Sequence, residues 1–426
     1  MKIAIIGSGI AGNVAAYHLN KEHDITLFEQ NSHIGGHTHT HAIDDGQDVI
    51  NIDTGFIVLN DRTYPNFKHL LSELEVDVQD TEMSFSVKCE QTGLEYNGNN
   101  LNTLFAQRSN LIKPRFYRMI SDILRFNREA SESVNNTQSD KSLGDFLQAG
   151  NYSDIFINKY IVPMGAAIWS TNPDDMFSFP AQFFFRFFLN HGLLSVNDRP
   201  QWHVIKGGSN TYVKKLIEGF EHKVRTDCPV EMILRDIDYV EIKTERYGIE
   251  RFDYVFIAAH SDQALRMLQH PSKQERATLS AIQYQKNEAV LHTDRSLLPL
   301  RKKAWAAWNY HISEDTRDNV ALTYNMNVLQ GLNTDKTYCV TLNYTDKIDD
   351  SKILKTVEYH HPVFTPESIG AQNDHRLING TGRTYYCGAY WRNGFHEDGV
   401  VSAIDALSHF KQDLSYEEEL PLRRAS

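Results

Sequence analysis

Cysteine is scarce in this chain. Four occur in 426 residues, Cys89, Cys228, Cys339 and Cys387, and no two form a Cys-x-x-Cys pair. That excludes a disulfide framework and a thiolate metal site, and it fits a reducing cytosol. Long apolar runs are also missing. Nothing approaches the roughly 18 residues that suggest a membrane-spanning helix, and the longest aromatic stretch, Phe177 to Phe188, is interrupted by Arg186. Positive charge is in deficit: 43 Lys+Arg face 55 Asp+Glu, for a net charge of −12. A nucleic-acid surface needs clustered Lys and Arg, so none is expected. The deficit also weighs against docking on anionic lipid. No secretory leader is expected, because Met1–Ile10 reads as one short strand running into glycines without a cleavage region. With 24 Gly and 12 Pro the chain is neither collagen-like nor low in complexity. Its length suggests two or three domains.

The first forty residues are rich in signal. Lys2–Ile6 reads as a buried parallel strand, Ala11–Leu19 as a helix and Asp24–Phe28 as a second strand. Between the first two lies Gly7-Ser8-Gly9-Ile10-Ala11-Gly12, and Glu29-Gln30 follows the third. Strand, GxGxxG turn, helix, strand and acid within about 30 residues make a dinucleotide-binding unit. Gly7 permits the tight turn, Gly9 lets a pyrophosphate approach the backbone, and Gly12 lets helix and strand pack closely. The helix N-terminus offers free N–H groups to phosphate. Glu29 can accept hydrogen bonds from the adenosine ribose.

Gly35-Gly36-His37-Thr38-His39-Thr40 comes next. It resembles the GG-R-x-x-S/T element of two-dinucleotide flavoproteins of the amine-oxidase and glutathione-reductase type, with His37 where Arg is usual and Thr40 matching the hydroxyl. That resemblance favours FAD over NAD. His37, His39 and His41 would share one face of an extended strand, with His33 nearby. They could bind zinc or copper, but ligands from one flat strand are spread at about 7 Å and no Cys or acid stands beside them. Cofactor-loop histidines are therefore preferred and no metal is expected.

Three later pieces resemble elements of the same fold. Val49–Phe56 is an apolar strand ending in Asp53-Thr54-Gly55-Phe56, similar to the Asp-x-Gly element beside the flavin in the amine-oxidase superfamily. Asp253–Ile257 reads as a strand returning to the cofactor domain, placing Ala258-Ala259 near the dinucleotide, and Val230 is matched to the backbone that reaches the adenine. Thr384–Cys387 reads as a last strand, followed by Gly388. Gly394-Phe395-His396-Glu397-Asp398-Gly399-Val400 then opens a helix over Val400–Leu407. The resemblance implies that this helix points its N-terminus at the flavin.

Asp53 to Val58 with Arg62-Thr63-Tyr64-Pro65, Gln201-Trp202 with Gly207-Gly208-Ser209, Val290 to Asp294 with Leu298-Pro299, Ala304-Trp305 with Trp308-Asn309-Tyr310, and Gly394 to Gly399 together resemble one family. It is that of the bacterial NAD/FAD-binding proteins of the flavin-containing amine-oxidase superfamily. Their genes often accompany cyclopropane-fatty-acid-synthase-like methyltransferases, and a member is implicated in furan fatty acid formation. The resemblance implies an α/β fold: an FAD-binding Rossmann-like domain of the amine-oxidase/glutathione-reductase type with a discontinuous α+β substrate domain. The cofactor domain is expected from 1–69, 201–260 and 381–426, and the substrate domain from 70–200 and 261–380.

In the inserted segments, Lys113–Ala130, Leu143–Leu147 and Ile155–Ile161 read as helices, Ser131–Lys141 as an exposed loop, and Glu288–Thr293 and Tyr338–Tyr344 as strands. The phenylalanines between Phe177 and Leu189 exceed one amphipathic face. They are read as fully buried or, alternatively, as an acyl-chain entrance able to touch a membrane surface. Trp308, Tyr310, Tyr390 and Trp391 are expected to wall the substrate pocket, and His396 and Glu397 to stand near the ring as catalytic groups. The expected activity is FAD-dependent oxidation of an apolar small molecule or lipid, a modified or unsaturated fatty acyl chain, by hydride transfer. Three alternatives remain: an amine oxidase using Lys286 or Lys302, an isomerase, and a non-catalytic dinucleotide-binding protein. A single GxGxxG argues against a second NAD(P)H domain. No obligate protein partner is expected. The expected location is the cytoplasm, including its membrane periphery.

Overall fold

The apolar run Lys2–Ile6 becomes the central strand of a five-stranded parallel sheet in the computed structural model, which describes residues 1–46, 48–134, 141–314 and 320–424, with side chains as far as 415. The order across the sheet is Val224–Arg225, Asp24–Phe28, Lys2–Ile6, Tyr254–Ile257 and Thr384–Tyr386. A strand buried on both faces has no polar side to alternate with, which is why Lys2–Ile6 and Tyr254–Ile257 read as nearly continuous apolar runs. Helix α1 (Ile10–Leu19) packs on one face together with a second helix, α2 (Pro65–Glu73). On the other face Ala4, Ile6, Val255 and Ile257 meet a three-stranded antiparallel sheet, Val230–Arg235, Val240–Thr244 and Gly248–Phe252.

The second body of structure is a seven-stranded mixed sheet. Its order is Ile353–Val363, Gln283–His292, Cys339–Leu342, Leu322–Asn325, Trp308–Ile312, Phe85–Cys89 and Leu94–Asn97. Helices cover it, among them α3 (Pro114–Ser133) and α4 (Ala181–Asn190). The fold is the expected α/β architecture, with a Rossmann-like sheet beside a separate α+β unit. The exposed loop expected over Ser131–Lys141 differs at its start, where Ser131–Ser133 complete α3; residues 135–140 lie outside the described residues.

The phenylalanine-rich segment is buried in its middle, while Phe177 and Leu189 are exposed and Phe183 is half-buried. Phe184, Phe185, Phe187 and Phe188 of α4 are all buried. Trp169 lies 4.8 Å from Phe187 and 4.7 Å from Phe179, centroid to centroid. These rings fill the space between α3, α4 and the sheet, so their number reflects a core shared by several helices. Among the described residues no helix is long and apolar enough to cross a membrane.

The chain closes with α5 (His396–Arg424), which starts four residues before the sequence reading placed it and lies against α1.

Candidate functional site

The glycine turn separates into two kinds of position. Gly7 has φ +99°, and a Cβ there would stand 2.7 Å from the Ala258 carbonyl oxygen. A Cβ on Gly12 would fall 1.9 Å from the carbonyl oxygen of Gly7 and 3.1 Å from the Ala258 Cβ. Both glycines are therefore required by packing, and Ala258 with its neighbour Ala259 stands against the turn. At Gly9 nothing lies within 4 Å of an added Cβ. Gly9 is the N-cap of α1, provides no side-chain cap, and no acid occupies the first turn. The leading N–H groups of Ile10 and Ala11 thus lack a side-chain acceptor, and the helix dipole leaves them positive.

Two loops close on this turn. A Cβ on Gly36 would stand 3.0 Å from the Gly9 Cα, and Gly35 N–H donates to Ser8 Oγ at 3.3 Å. Glu29 sits buried at the tip of its strand. Its carboxylate accepts from Ser8 N (2.9 Å), Ser8 Oγ (2.6 Å), Asn31 N (2.8 Å) and Asn31 Nδ2 (3.0 Å). Gln30, next to it, is exposed. Cys228 N–H donates to the Glu29 carbonyl at 2.9 Å, which brings Val230 alongside. Glycine turn, acid and Val230 therefore share one end of the sheet. Ser8 and Asn31, which hold the acid, escaped the sequence reading because a carboxylate's partners are set by the turn rather than by spacing.

His37 packs against the strand that carries Tyr359 and His361. It stacks on Tyr359 at 4.9 Å and lies 5.3 Å from His361. Its Nε2 is buried with no hydrogen-bond partner among the described residues. Burial, then the neighbouring His361 and His260, hold its pKa well below the usual histidine value. Burial likewise lowers His361 and His260 to about 4. His33, His39 and His41 form a separate cluster, with His33 stacked on His39 at 4.0 Å and His41 tilted against His39 at 4.2 Å. Among the described residues no group of three ligating side chains is placed to hold a metal.

The Asp53–Phe56 segment is knitted into the protein. The Asp53 carboxylate accepts from Thr40 Oγ1 (2.5 Å), Ser209 N (3.0 Å), Ser209 Oγ (2.7 Å) and Gln330 Nε2 (3.2 Å). Burial raises its pKa to about 6 in spite of the bonds from Thr40 and Ser209. Thr54 Oγ1 is 2.8 Å from the Tyr359 hydroxyl. A Cβ on Gly55 would fall 2.1 Å from the His37 carbonyl oxygen and 3.2 Å from the Tyr359 ring. The close approach at Gly55 is thus made by the chain's own backbone, and Phe56 N–H donates to that carbonyl at 2.7 Å.

The start of α5 carries the expected catalytic pair, His396 and Glu397. His396 is buried, stacked on Phe56 at 3.7 Å, with Nε2 2.8 Å from the Tyr212 hydroxyl and 3.0 Å from Thr38 Oγ1. Burial lowers its pKa to about 3, so it stays neutral inside this cluster. The Glu397 carboxylate accepts from Asn66 N (3.0 Å), Asn66 Nδ2 (2.6 Å) and Phe67 N (2.8 Å). It caps α2, which has no side-chain cap of its own. Asp398 accepts from Phe395 N at 2.9 Å, with its pKa raised to about 6 by burial. Both side chains of the pair are thus spent on holding helices in place. A Cβ on Gly399 would stand 2.6 Å from the Ile10 side chain, so α5 begins directly on the first turn of α1. Val400 is buried in the same core, and Gly388 N–H donates to Ser402 Oγ at 2.7 Å.

The four expected pocket aromatics are not brought together. Tyr390 and Trp391 are buried in the core behind the parallel sheet, where Trp391 stacks on His375 at 4.4 Å. Trp308 meets Tyr324 edge-on at 5.1 Å. Tyr310 lines a cavity of about 600 Å³ beneath the helices. Its strand is four positions across the sheet from the one carrying Tyr359 and His361, about 19 Å at the usual strand spacing. The residues around His37 instead come from Tyr359, His361 and His260. Tyr359 and His361 alternate along one strand face, a period-two signal that the sequence reading passed over. Lys286 pairs with Glu358 and is exposed, and Lys302 lies over Trp305 at the surface.

A family model described as an NAD(P)-binding Rossmann-like domain matches residues 5–74. Among curated protein sequences none matches the chain. Solved structures are similar over nearly the whole length. Cyclohexylamine oxidase from Brevibacterium oxydans is 13% identical, with a TM-score of 0.70 over 97% of this chain and 99% of that one. A CLA-producing fatty acid isomerase from P. acnes is 15% identical, with a TM-score of 0.69 over 96% and 98%. Reduced UDP-galactopyranose mutase is 14% identical, with a TM-score of 0.66 over 96% and 95%. At these identities the likeness establishes the fold.

Proposed function

We propose that the chain is an FAD-dependent oxidoreductase acting on an apolar substrate, a modified or unsaturated fatty acyl chain. The observation that carries the reading is the bare start of α1: an uncapped first turn without acids, open space at Gly9, and Gly36 against it. This is the backbone cradle a pyrophosphate fits. Glu29, Gln30 and Val230 would hold the adenosine end, where a ribose hydroxyl must displace a donor such as Asn31 Nδ2 from Glu29. At the other end, the orphaned Nε2 of His37 fits a polar edge of the flavin, with Gly55 beside it. When bound, FAD supplies a hydride acceptor.

The protein's share is to position and to exclude water. Neutral His37, His260 and His361 give polar contacts without a charge that would need hydration. Phe183 lies 5.2 Å from Phe364 and Phe187 5.1 Å from Phe395, so an aromatic wall runs from the helical unit to the turn before α5. That wall suits an apolar chain, as does the likeness to a fatty acid isomerase. The amine-oxidase reading loses support with Lys286 paired and Lys302 at the surface. A redox-neutral isomerisation on the same cofactor is the second reading, favoured by that same neighbour.

The purified protein should carry oxidised flavin in its visible spectrum. Unsaturated acyl lipids should bleach it without oxygen, and amines should not. Turnover of the lipid without bleaching assigns isomerisation. A colourless protein that gains no flavin on reconstitution overturns the proposal.

A further inference from the structure

Two short segments stand apart from an acidic chain. Residues 108–118 contain Arg108, Lys113, Arg115 and Arg118, residues 295–303 contain Arg295, Arg301, Lys302 and Lys303, and neither contains an Asp or Glu. Almost 180 residues separate them, yet both are fastened to the edge strand Leu94–Asn97 of the seven-stranded sheet. The buried Glu95 carboxylate accepts from Leu300 N (2.7 Å) and Arg301 Nη1 (2.8 Å). Its backbone N–H donates to Gln107 Oε1 at 3.0 Å, and its carbonyl accepts from Asn110 Nδ2 at 3.4 Å. Asn97 extends the clasp, donating through Nδ2 to the Trp305 carbonyl at 2.9 Å and accepting at its own carbonyl from Thr103 Oγ1 at 3.1 Å. Glu95 thus ties both basic segments to the same edge, the later one through its carboxylate and the earlier one through its backbone.

Large aliphatic side chains project from these segments and from Leu101, which opens the short helix after the edge strand. Ile112 is 84% exposed, Leu300 83% and Leu101 76%, with Leu111 beside them. Arg118 pairs with Asp122 and Arg301 with Glu95, whereas Lys113, Arg115, Lys302 and Lys303 form no ion pair among the described residues. Folding alone gives no reason to hold bare Leu and Ile next to uncompensated bases.

We propose that this face docks onto an anionic lipid surface, with Ile112, Leu300 and Leu101 entering the headgroup boundary and the bases meeting lipid phosphates. The pairing of aliphatic tips with Lys and Arg suits a bilayer, and a nucleic-acid groove would find nothing to stack on those tips. The net charge of −12 does not oppose it at contact, because physiological salt screens charges beyond about 8 Å. The cavity of about 600 Å³ shares this face: Lys113 and Arg115 stand on its wall with Leu94, Phe116, Val162 and Tyr310. Its acids, Asp154 and Asp174, are outnumbered by Lys113, Arg115 and Lys159. Docking would open the cavity towards lipid. The proposal is independent of the flavin reading.

The test is co-sedimentation of the full chain with vesicles of phosphatidylcholine alone and of phosphatidylcholine mixed with phosphatidylglycerol. Binding is expected only to the mixed vesicles, and salt should weaken it. Replacing four of the bases that form no ion pair (Lys113→Gln, Arg115→Gln, Lys302→Gln, Lys303→Gln) should cut partitioning by on the order of 600-fold, about 5-fold per charge. Ile112→Ser with Leu300→Ser should weaken it further while circular dichroism stays unchanged. Equal sedimentation with both vesicle types, partitioning that survives the quadruple change, or binding to duplex DNA in place of vesicles would each overturn the proposal.

Discussion

Two helices begin within van der Waals reach of each other, and they begin differently. The start of α1 is bare: Gly9 caps nothing with a side chain, and no acid stands in the first turn. The start of α5 is dressed: Glu397 and Asp398 occupy its first turn, and both carboxylates are engaged by the chain's own N–H groups. Each helix has the same positive end. At α5 the protein supplies the negative charge itself. At α1 it leaves that charge to be brought in, and Gly9 keeps the space for it. The difference teaches that an anion site is marked by what the chain withholds as much as by what it places there.

The contrast can be broken most severely at Gly12. Gly12→Ala puts a methyl 1.9 Å from the Gly7 carbonyl oxygen. We expect a loss of about 3 kcal/mol or more, seen as a large drop in the melting temperature together with lost flavin. Normal stability in that variant would mean the turn is not held by this packing.

Acid should act next, and through the dressed start and the rest of the core. His39, His191, His260, His292, His361 and His375 are lowered by burial to about 4, and His396 to about 3. Each is neutral when folded and takes a proton on unfolding below the ordinary value of about 6.5, so each loses stability as pH falls from 6.5 towards 4. Asp53 and Asp398, raised to about 6, work the other way: their folded forms bind protons first, and stability rises as pH falls from 6 towards the ordinary carboxylate value. Seven histidines outweigh two acids. Urea midpoints should fall steadily from pH 7 to pH 5, and a midpoint that rose would reverse the assignment.

Glu397→Ala should cost about 2 kcal/mol, since it leaves the start of α2 without its charged acceptor. Flavin content and spectrum should be retained in the folded fraction. If turnover vanished while the melting temperature held, Glu397 would be catalytic after all, and the two helix starts would be more alike than they look.

The bare start was readable from sequence and the dressed one was not, for a physical reason. Gly7, Gly9, Gly12 and Glu29 act through local geometry: a turn, a helix and a strand end set by neighbours within thirty residues. Spacing alone therefore singled them out. Glu397 acts on Asn66 and Phe67, and His396 on Thr38 and Tyr212, across more than 180 residues. Residue type suggested chemistry at both, and only the packing reveals that their polar atoms are already engaged. The same holds for Tyr390 and Trp391, aromatic enough for a pocket wall but placed behind the sheet. It holds in reverse for Leu300 and Ile112, which no periodicity singled out and which Glu95 gathers onto one face.

The dinucleotide site at α1 depends on the space at Gly9, and Gly9→Ala tests it most directly. The added methyl meets nothing within 4 Å, so the melting temperature should stay within about 2 °C of the parent. FAD affinity, titrated into the apoprotein, should fall at least tenfold, roughly 1.4 kcal/mol, because the methyl occupies the place where phosphate meets the backbone. A stable variant that binds FAD as tightly as the parent would contradict the placement of the dinucleotide at α1.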